Sequence, residues 1–199
     1  MSQPAAPRRR STLSPAHIIA RVAVFAALIA VLGLMAPIPV PGIPVPITAQ
    51  TLGVMLAGAV LGPVWGAASV TLFELLVIVG LPLLSGGRGG LGVFAGVSGG
   101  YLIGYIAGAF VVGLIALPRA GRPSWIRVLL ASLIGGIAVI YLFGVPVQAW
   151  RLGIGLRESL YASFAFLPGD IIKAVLTGLI CFGISALTVL GFGYALEMA

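Results

Sequence analysis

Long apolar stretches alternate with short polar, glycine-rich or proline-rich stretches along the chain after residue 14. About twenty apolar residues cross a bilayer as a helix, because each residue adds about 1.5 Å. The last stretch is the clearest, since residues 174–196 contain no charged side chain. The pattern predicts an all-α, polytopic membrane protein of six transmembrane helices, with residues 15–196 as one domain. The predicted helices cover approximately 15–36, 47–61, 66–81, 98–117, 125–143 and 168–196.

The segments between these helices differ in composition. Residues 37–48 contain five prolines, which forbid a regular helix and predict an extended, stiff lid on the outer surface. Residues 81–100 contain eight glycines and one charge, Arg88, a composition that permits tight turns and close approach to a ligand. Residues 144–165 are less regular and are predicted to lie along the membrane interface.

Composition gives the class of protein independently. With 60% hydrophobic and 8% charged residues and a mean hydropathy of +1.21, the 199-residue chain is an integral membrane protein. The net charge of +7 does not predict nucleic-acid binding, because the 11 basic residues are sparse and scattered. They favour two cytoplasmic termini, with residues 1–14 as a disordered basic cytoplasmic tail. The arginines predicted inside are Arg8, Arg9, Arg10, Arg21, Arg119, Arg122 and Arg127, and those predicted outside are Arg88, Arg151 and Arg157.

Two opposite charges, Asp170 and Lys173, stand at the entrance of the last helix. An acid in the first turn suits the helix dipole, and a spacing of three places both side chains on one face, which Thr177 extends. A charge facing lipid costs about 2.5–3.5 kcal/mol at mid-bilayer, so this face is predicted to meet a protein interior or a cavity. A purely structural ion pair is the alternative to ligand binding.

Six spans bring the proline-rich segment, the Arg88 loop and the entrance of the last helix to the same outer side. They predict one pocket open to the outside, walled partly by Phe166. Its mixture of charged, polar and aromatic groups suits a small molecule with an anionic end, a polar head and an apolar body. A helix cap for Thr48 and a solvated loop position for Arg88 are the alternatives. The predicted substrate-binding residues are Thr48, Gln50, Phe73, Glu74, Arg88, Tyr101, Asp170 and Lys173.

Small residues form a stripe on the first helix at alternating spacings of four and three. Such a stripe lets another helix approach closely in lipid, either inside the same protein or from a separate membrane subunit. The stripe contains Ala16, Ala20, Ala23, Ala27 and Ala30, and the first four are the predicted docking residues if a separate subunit binds there.

Motifs for catalysis are missing from the sequence. It contains no nucleophile elbow, no HExxH and no cluster of cysteine and histidine, so neither an enzyme, a metal site nor a cofactor is predicted. It also contains no ATP-binding motif, so any step driven by ATP requires another subunit.

Four segments resemble the signature sequences of a known family: PVPITAQTLGVMLAG, LGPVWGA, GLPLLSGGRGGLGVFAGVSGGYLIGY and FLPGDIIK. They resemble the BioY family, the biotin-binding S components of energy-coupling factor transporters, over about residues 15–195. The resemblance implies six helices in a bacterial inner membrane, a biotin site near the outer surface, and coupling through a membrane T component to paired ABC-type ATPases. One departure is GVSGGY, where the family commonly has GPTGGY.

The resemblance associates Arg88, Asp170 and Lys173 with the ligand, and the alanine stripe with docking of the T component. Biotin's ureido group would then meet Asp170 and Lys173, and its carboxylate would meet Arg88, with Lys173 as the alternative partner of the carboxylate. Another vitamin as substrate, a structural membrane protein without a ligand, and a homo-oligomer all remain open.

Overall fold

The computed structural model describes residues 14–117 and 124–197, including their side chains except those of Ile43 and residues 185–197. The predicted basic tail, apart from Ser14, lies outside the described residues. Five of the arginines predicted to face inward lie outside them as well: Arg8, Arg9, Arg10, Arg119 and Arg122.

Helices account for most of the described chain. They are α1 Pro15–Leu34, α2 Gln50–Ile78, α3 Gly99–Ala116, α4 Trp125–Leu133, α5 Ile140–Leu152, α6 Leu156–Ser163 and α7 Leu167–Glu197. A π-helical stretch, Ile134–Val139, joins α4 to α5, and a short 3-10 helix, Leu91–Val93, precedes α3. Among the described residues, five helices are long and apolar enough to cross a membrane: Pro15–Leu34, Gln50–Ile78, Gly99–Ala116, Trp125–Leu152 and Leu167–Ile184.

The second of these helices folds back on itself and so supplies two passes. Gly62 has a φ of +80°, which glycine adopts without strain, and Pro63 opens the second arm where its missing N–H is not needed. A Cβ on Gly66 would lie 2.7 Å from the Cα of Gly58, so the two arms touch through their backbones. The prediction of six helices with a break near residue 62 is confirmed.

The alanine stripe of α1 faces away from the rest of the molecule. The residues of α1 that are buried against the bundle are Ala26, Ile29 and Gly33. Ala16, Ala20, Ala23 and Ala27 are all exposed, whereas Ala30 is partly buried against the core. Packing inside the same chain, one of the two predicted roles of the stripe, therefore applies to Ala30 and not to the other four alanines.

Glycines of α3 fit this helix tightly against the run that contains α5. Added Cβ atoms would lie 2.6 Å from Val147 Cβ at Gly100, 2.9 Å from the carbonyl oxygen of Ile140 at Gly104, and 2.8 Å from that of Gly135 at Gly108. The backbone of α3 at these glycines therefore contacts side chains and carbonyl oxygens of the neighbouring run directly. Small residues commonly allow membrane helices to approach this closely.

The proline-rich segment forms a β-hairpin, and both of its strands have the predicted extended conformation. Strands β1 Ile38–Val40 and β2 Ile43–Ile47 pair antiparallel, with Ile38 opposite Ile47 and Val40 opposite Ile43. Gly42 turns the chain with a φ of +76° directly after a proline, the combination that a type II turn favours. The paired residues are all non-proline, as a proline lacks the N–H that a ladder needs, and the register shifts between the Ile38 and Val40 pairs.

The predicted end of the fifth helix near residue 143 is wrong. The helical run continues through Pro146 to Leu152, and Gly153 ends it in the left-handed conformation with a φ of +66°. Glycine and proline within a membrane helix are tolerated because neighbouring helices supply the missing packing and hydrogen bonds. The separate short helix α6 then follows, where a less regular interfacial segment was expected.

Candidate solute-binding site

A cavity lies under the β-hairpin, where the start of α2 and the start of α7 meet. Its volume is about 60 Å³, room for a few water molecules. Its walls come from strand β2, from the segment between α2 and α3, and from helices α2, α3, α5 and α7. The lining residues are Val45, Pro46, Ile47, Thr48, Gln50, Thr51, Leu84, Arg88, Ser98, Tyr101, Leu102, Tyr105, Ile140, Tyr141, Phe166, Asp170 and Lys173.

Six of the eight residues that the sequence predicted for the pocket lie on this cavity. They are Thr48, Gln50, Arg88, Tyr101, Asp170 and Lys173, and Phe166 joins them as the expected wall. Phe73 and Glu74 do not line the cavity. Both are buried in the second arm of α2, with Glu74 only 4% exposed and its Oε1 without a hydrogen-bond partner among the described residues. Contact between Glu74 and a ligand, which the sequence suggests for an isolated acid in an apolar helix, stays a prediction.

Asp170 and Lys173 form a buried ion pair, with Lys173 Nζ 2.7 Å from Asp170 Oδ1. Lys173 also donates to the carbonyl oxygen of Thr48 and to Thr51 Oγ1, each at 2.7 Å. An ammonium group has three donors, so this one is fully engaged by protein groups. Because all three contacts are charge-assisted, they fix the start of α2 against the start of α7.

The carboxylate of Asp170 has two further donors. Thr51 Oγ1 lies 3.1 Å from Oδ1 and Tyr141 Oη lies 2.8 Å from Oδ2. A carboxylate offers about four acceptor positions, and Lys173, Thr51 and Tyr141 occupy three of them. One acceptor position therefore remains for a ligand donor.

Arg88 is held by hydrogen bonds from its backbone and from Nε of its guanidinium group. Leu84 and Arg88 exchange backbone hydrogen bonds of 3.0 and 3.2 Å, and Arg88 Nε donates to the carbonyl oxygen of Ser85 at 3.1 Å. Within the described part of the chain its two terminal guanidinium nitrogens have no hydrogen-bond partner. A planar fork with free donors suits a carboxylate, and Lys173 has no such donors to offer.

Aromatic rings form the apolar wall of the cavity. Tyr101 makes edge-to-face contacts with Tyr141 at a ring-centre separation of 6.2 Å and with Phe166 at 6.1 Å. The Tyr101 hydroxyl lies 2.7 Å from Gln148 Oε1 and 2.8 Å from Ser163 Oγ, so Tyr101 offers the cavity its ring. This wall suits a flat or saturated ring system and an alkyl chain.

Thr48 and Gln50 enter the site differently from the sequence expectation. The N-cap of α2 is Ala49, so the cap role considered for the Thr48 side chain is not observed. Thr48 contributes its carbonyl to Lys173 instead, and Gln50 Nε2 donates to the carbonyl of Leu83 at 3.3 Å. Gly33 of α1 makes room for that amide, since a Cβ there would lie 2.6 Å from Gln50 Nε2.

Sequence reasoning missed Tyr141, Tyr105 and Ser98 as lining residues. Tyr141 stands alone in an apolar run, and a single tyrosine in a membrane helix is too common to indicate a site. Tyr105 had a signal, because it follows Tyr101 by one helical turn on the glycine-rich face of α3. Ser98, at the position where the sequence departs from the usual family pattern, lines the cavity at the start of α3.

The fold defines a multi-pass membrane protein, and its helices surround a cavity with one charged and one aromatic side. A family model described as the BioY family matches residues 6–189. This chain belongs to the BioY family.

Curated relatives and a solved structure agree with the family match. The chain is 50% identical over 163 residues to a biotin transporter BioY of Rhizobium etli, a match covering 79% of this chain and 87% of the relative. It is 45% identical over 164 residues to a probable biotin transporter BioY of Bacillus subtilis, covering 82% and 88%. Its fold matches a crystal structure of the S-component for biotin from an ECF-type ABC transporter, with a TM-score of 0.79, 35% identity, and coverage of 85% of this chain and 90% of that one.

Proposed function

We propose that this protein is the biotin-binding membrane component of an energy-coupling factor transporter and that it binds biotin in the cavity under the β-hairpin. It is a transport protein and not an enzyme. The observation that carries the proposal is one cavity that combines a buried acid, two cations, tyrosine hydroxyls and an aromatic wall. Biotin needs such a set, because it joins a ureido group, a saturated sulfur-containing ring, an alkyl chain and a carboxylate.

Hydrogen-bond capacity supports one orientation of the ligand. Lys173 already uses its three donors inside the protein, whereas the terminal nitrogens of Arg88 are free. The biotin carboxylate therefore binds Arg88. A ureido N–H binds the remaining acceptor position of Asp170, and the ureido carbonyl takes a donor from Tyr141 or Lys173 in exchange for an internal bond.

The size of the cavity supports a movement on binding. Pockets that enclose small ligands usually measure about 300–1,000 Å³, several times the volume present here. The β-hairpin supplies Val45, Pro46 and Ile47 to the wall, and the glycine-rich segment supplies Arg88. These two covering segments move outward to admit biotin, while the hydrogen-bonded starts of α2 and α7 stay in place.

The exposed alanine stripe of α1 supports coupling to a second membrane subunit. Ala16, Ala20, Ala23 and Ala27 offer bare helix backbone to the membrane without serving the packing of this chain. A T component docks there and links the protein to the ATPases on the cytoplasmic side. Both termini face the cytoplasm, with the hairpin and the Arg88 loop outside.

Equilibrium binding to the purified protein tests the proposal. Biotin is titrated in parallel with thiamine and riboflavin, two vitamins of different shape and charge. We expect saturable binding of biotin at one site per chain and no competition from the other two. Saturable binding of thiamine or riboflavin instead of biotin would assign the cavity to another vitamin. No saturable binding of any of the three would contradict a transport role for the cavity.

A further inference from the structure

The hydroxyl of Tyr101 is bound behind the cavity wall by two completely buried side chains. Gln148 on α5 and Ser163 on α6 both have 0% exposure, and they contact the Tyr101 oxygen at 2.7 and 2.8 Å. Neither residue lines the cavity. They touch any ligand only through the Tyr101 ring.

Counting protons along this chain of contacts fixes its direction. Ser163 Oγ lies 2.8 Å from the carbonyl oxygen of Ser159 and donates its single hydroxyl proton to that oxygen. Tyr101 must then donate to Ser163, which leaves the tyrosine oxygen as an acceptor toward Gln148. A carboxamide rotated by 180° fits the same space and presents nitrogen in place of oxygen. In that orientation Gln148 Nε2, otherwise buried without a partner, donates to Tyr101.

The backbone behind Tyr101 is shaped for the same purpose. Gly144 lies one turn before Gln148 on α5, and a Cβ there would overlap the Tyr101 ring. The ring therefore lies flat against bare backbone while its hydroxyl reaches Gln148. Helix α6 is tied to α5 by Ser159, which donates to the carbonyl of Val145 at 2.9 Å.

We propose that Gln148 and Ser163 are positioning residues for the ligand, because they fix the Tyr101 ring between Tyr141 and Phe166. The inference rests on the proposed biotin site and adds to it a support outside the cavity. The fixed Tyr101 ring packs against the Tyr141 ring and so keeps the Tyr141 hydroxyl on Asp170. The apolar wall and the polar end of the site therefore keep a constant relative position. Helix α6, which contributes nothing to the lining, thereby takes part in binding through Ser163.

Coupled substitutions test the proposal. Ser163→Ala and Gln148→Met each remove one contact to the Tyr101 hydroxyl, and we expect each to weaken biotin binding about fivefold, the effect of losing one ordinary hydrogen bond. In a Tyr101→Phe background neither change should weaken binding further, because the hydroxyl they hold is gone. Ser69→Ala is the matched control, because Ser69 is a completely buried serine on α2 that donates to the carbonyl of Trp65 at 2.9 Å and is not part of the cavity lining. We expect it to lower thermal stability to a similar extent and to leave biotin affinity at the wild-type level.

A measurement without ligand separates this inference from the proposed function. Protein labelled with 3-fluorotyrosine gives one ¹⁹F resonance per tyrosine, and the Tyr101→Phe variant identifies the resonance of Tyr101. We expect Ser163→Ala and Gln148→Met to shift or broaden that resonance, and Ser69→Ala to leave it in place.

The outcomes are distinct. Unchanged Tyr101 resonances, wild-type affinity in both variants, or losses that add to that of Tyr101→Phe would overturn the positioning role while leaving the biotin site intact. A wild-type protein that does not bind biotin would end the proposed function, and the ligand-free spectra would still decide whether Gln148 and Ser163 hold the ring.

Discussion

Lys173 Nζ lies 2.7 Å from Asp170 Oδ1 and also donates hydrogen bonds to the carbonyl oxygen of Thr48 and to Thr51 Oγ1. The two charges compensate one another before any ligand arrives, and they also join α2 to α7. The pair is therefore part of the fold as well as part of the proposed site. A substitution of either residue alone changes both the stability of the fold and the binding of the ligand, since removing one partner of a buried pair leaves the other charge uncompensated.

A double substitution separates the roles. Asp170→Asn alone leaves the Lys173 ammonium without its counter-charge, and Lys173→Met alone leaves the Asp170 carboxylate without its own. Each should therefore lower stability by about 3–5 kcal/mol and weaken biotin binding at least about tenfold. The combined variant carries no charge at either position and should recover most of the thermal stability. It should not recover binding. Thermal unfolding in detergent and equilibrium binding measure the two effects, and recovery of both would mean that the pair is purely structural.

Tyr141 should contribute to binding through Asp170. Tyr141→Phe keeps the ring in the aromatic wall and removes the 2.8 Å hydrogen bond to Asp170 Oδ2, so we expect about fivefold weaker biotin binding. Tyr161→Phe on α6 is the control, because that side chain is 69% exposed and is not part of the lining. Isothermal titration of both variants makes the comparison. Equal affinities in the two would remove Tyr141 from the site.

Ligands that lack the carboxylate should reveal its partner. Arg88→Met should weaken binding of biotin at least about tenfold, since a charge-assisted pair is lost, but should change binding of biotin methyl ester little. Competition against labelled biotin measures both ligands. The same pattern in Lys173→Met and not in Arg88→Met would assign the carboxylate to Lys173.

Biotin should reduce the mobility of the covering segments. Hydrogen exchange in peptides from residues 38–47 and 81–98 should slow when biotin is added, because both segments close over a filled cavity. Exchange in α3, which packs on α2 and α5 through its glycines, serves as the reference and should change little. Identical exchange in the two covering segments with and without biotin would argue against their movement.

The alanine stripe should matter for uptake but not for binding. Ala20→Trp and Ala23→Trp fill the bare face of α1 and should abolish uptake and co-purification with the T component, while biotin affinity stays at the wild-type level. Leu142→Trp is the control, because Leu142 is 70% exposed on α5 and far along the chain from the stripe. Uptake by cells and affinity of the purified variants are compared. Normal uptake with Ala20→Trp and Ala23→Trp would place the docking surface elsewhere.

The sequence predicted the helices and the charged end of the site for a clear physical reason. Charges are costly in an apolar helix, so Asp170 and Lys173 stood out, and their spacing of three gave them a common face. The same reasoning did not locate Glu74, because the cost of a charge shows that a residue is unusual but does not show which neighbours it contacts. Glu74 is buried in the second arm of α2 and is not part of the cavity lining.

Other features depended on contacts that no local pattern encodes. Gly144 and Pro146 are helix breakers in water, so the fifth helix was predicted to end before Gln148, and this residue was not considered. In the folded protein the Tyr101 ring packs on Gly144 and the helix continues. The support behind Tyr101 became visible only with the tertiary structure.

A structure of the protein crystallised with biotin is the most direct test of the proposed site. We predict the ureido ring against Asp170 and Tyr141, the sulfur-containing ring against Tyr101, and the carboxylate within hydrogen-bond distance of the Arg88 terminal nitrogens. Biotin bound outside this cavity, or bound inside it with Arg88 turned away from the carboxylate, would contradict the prediction.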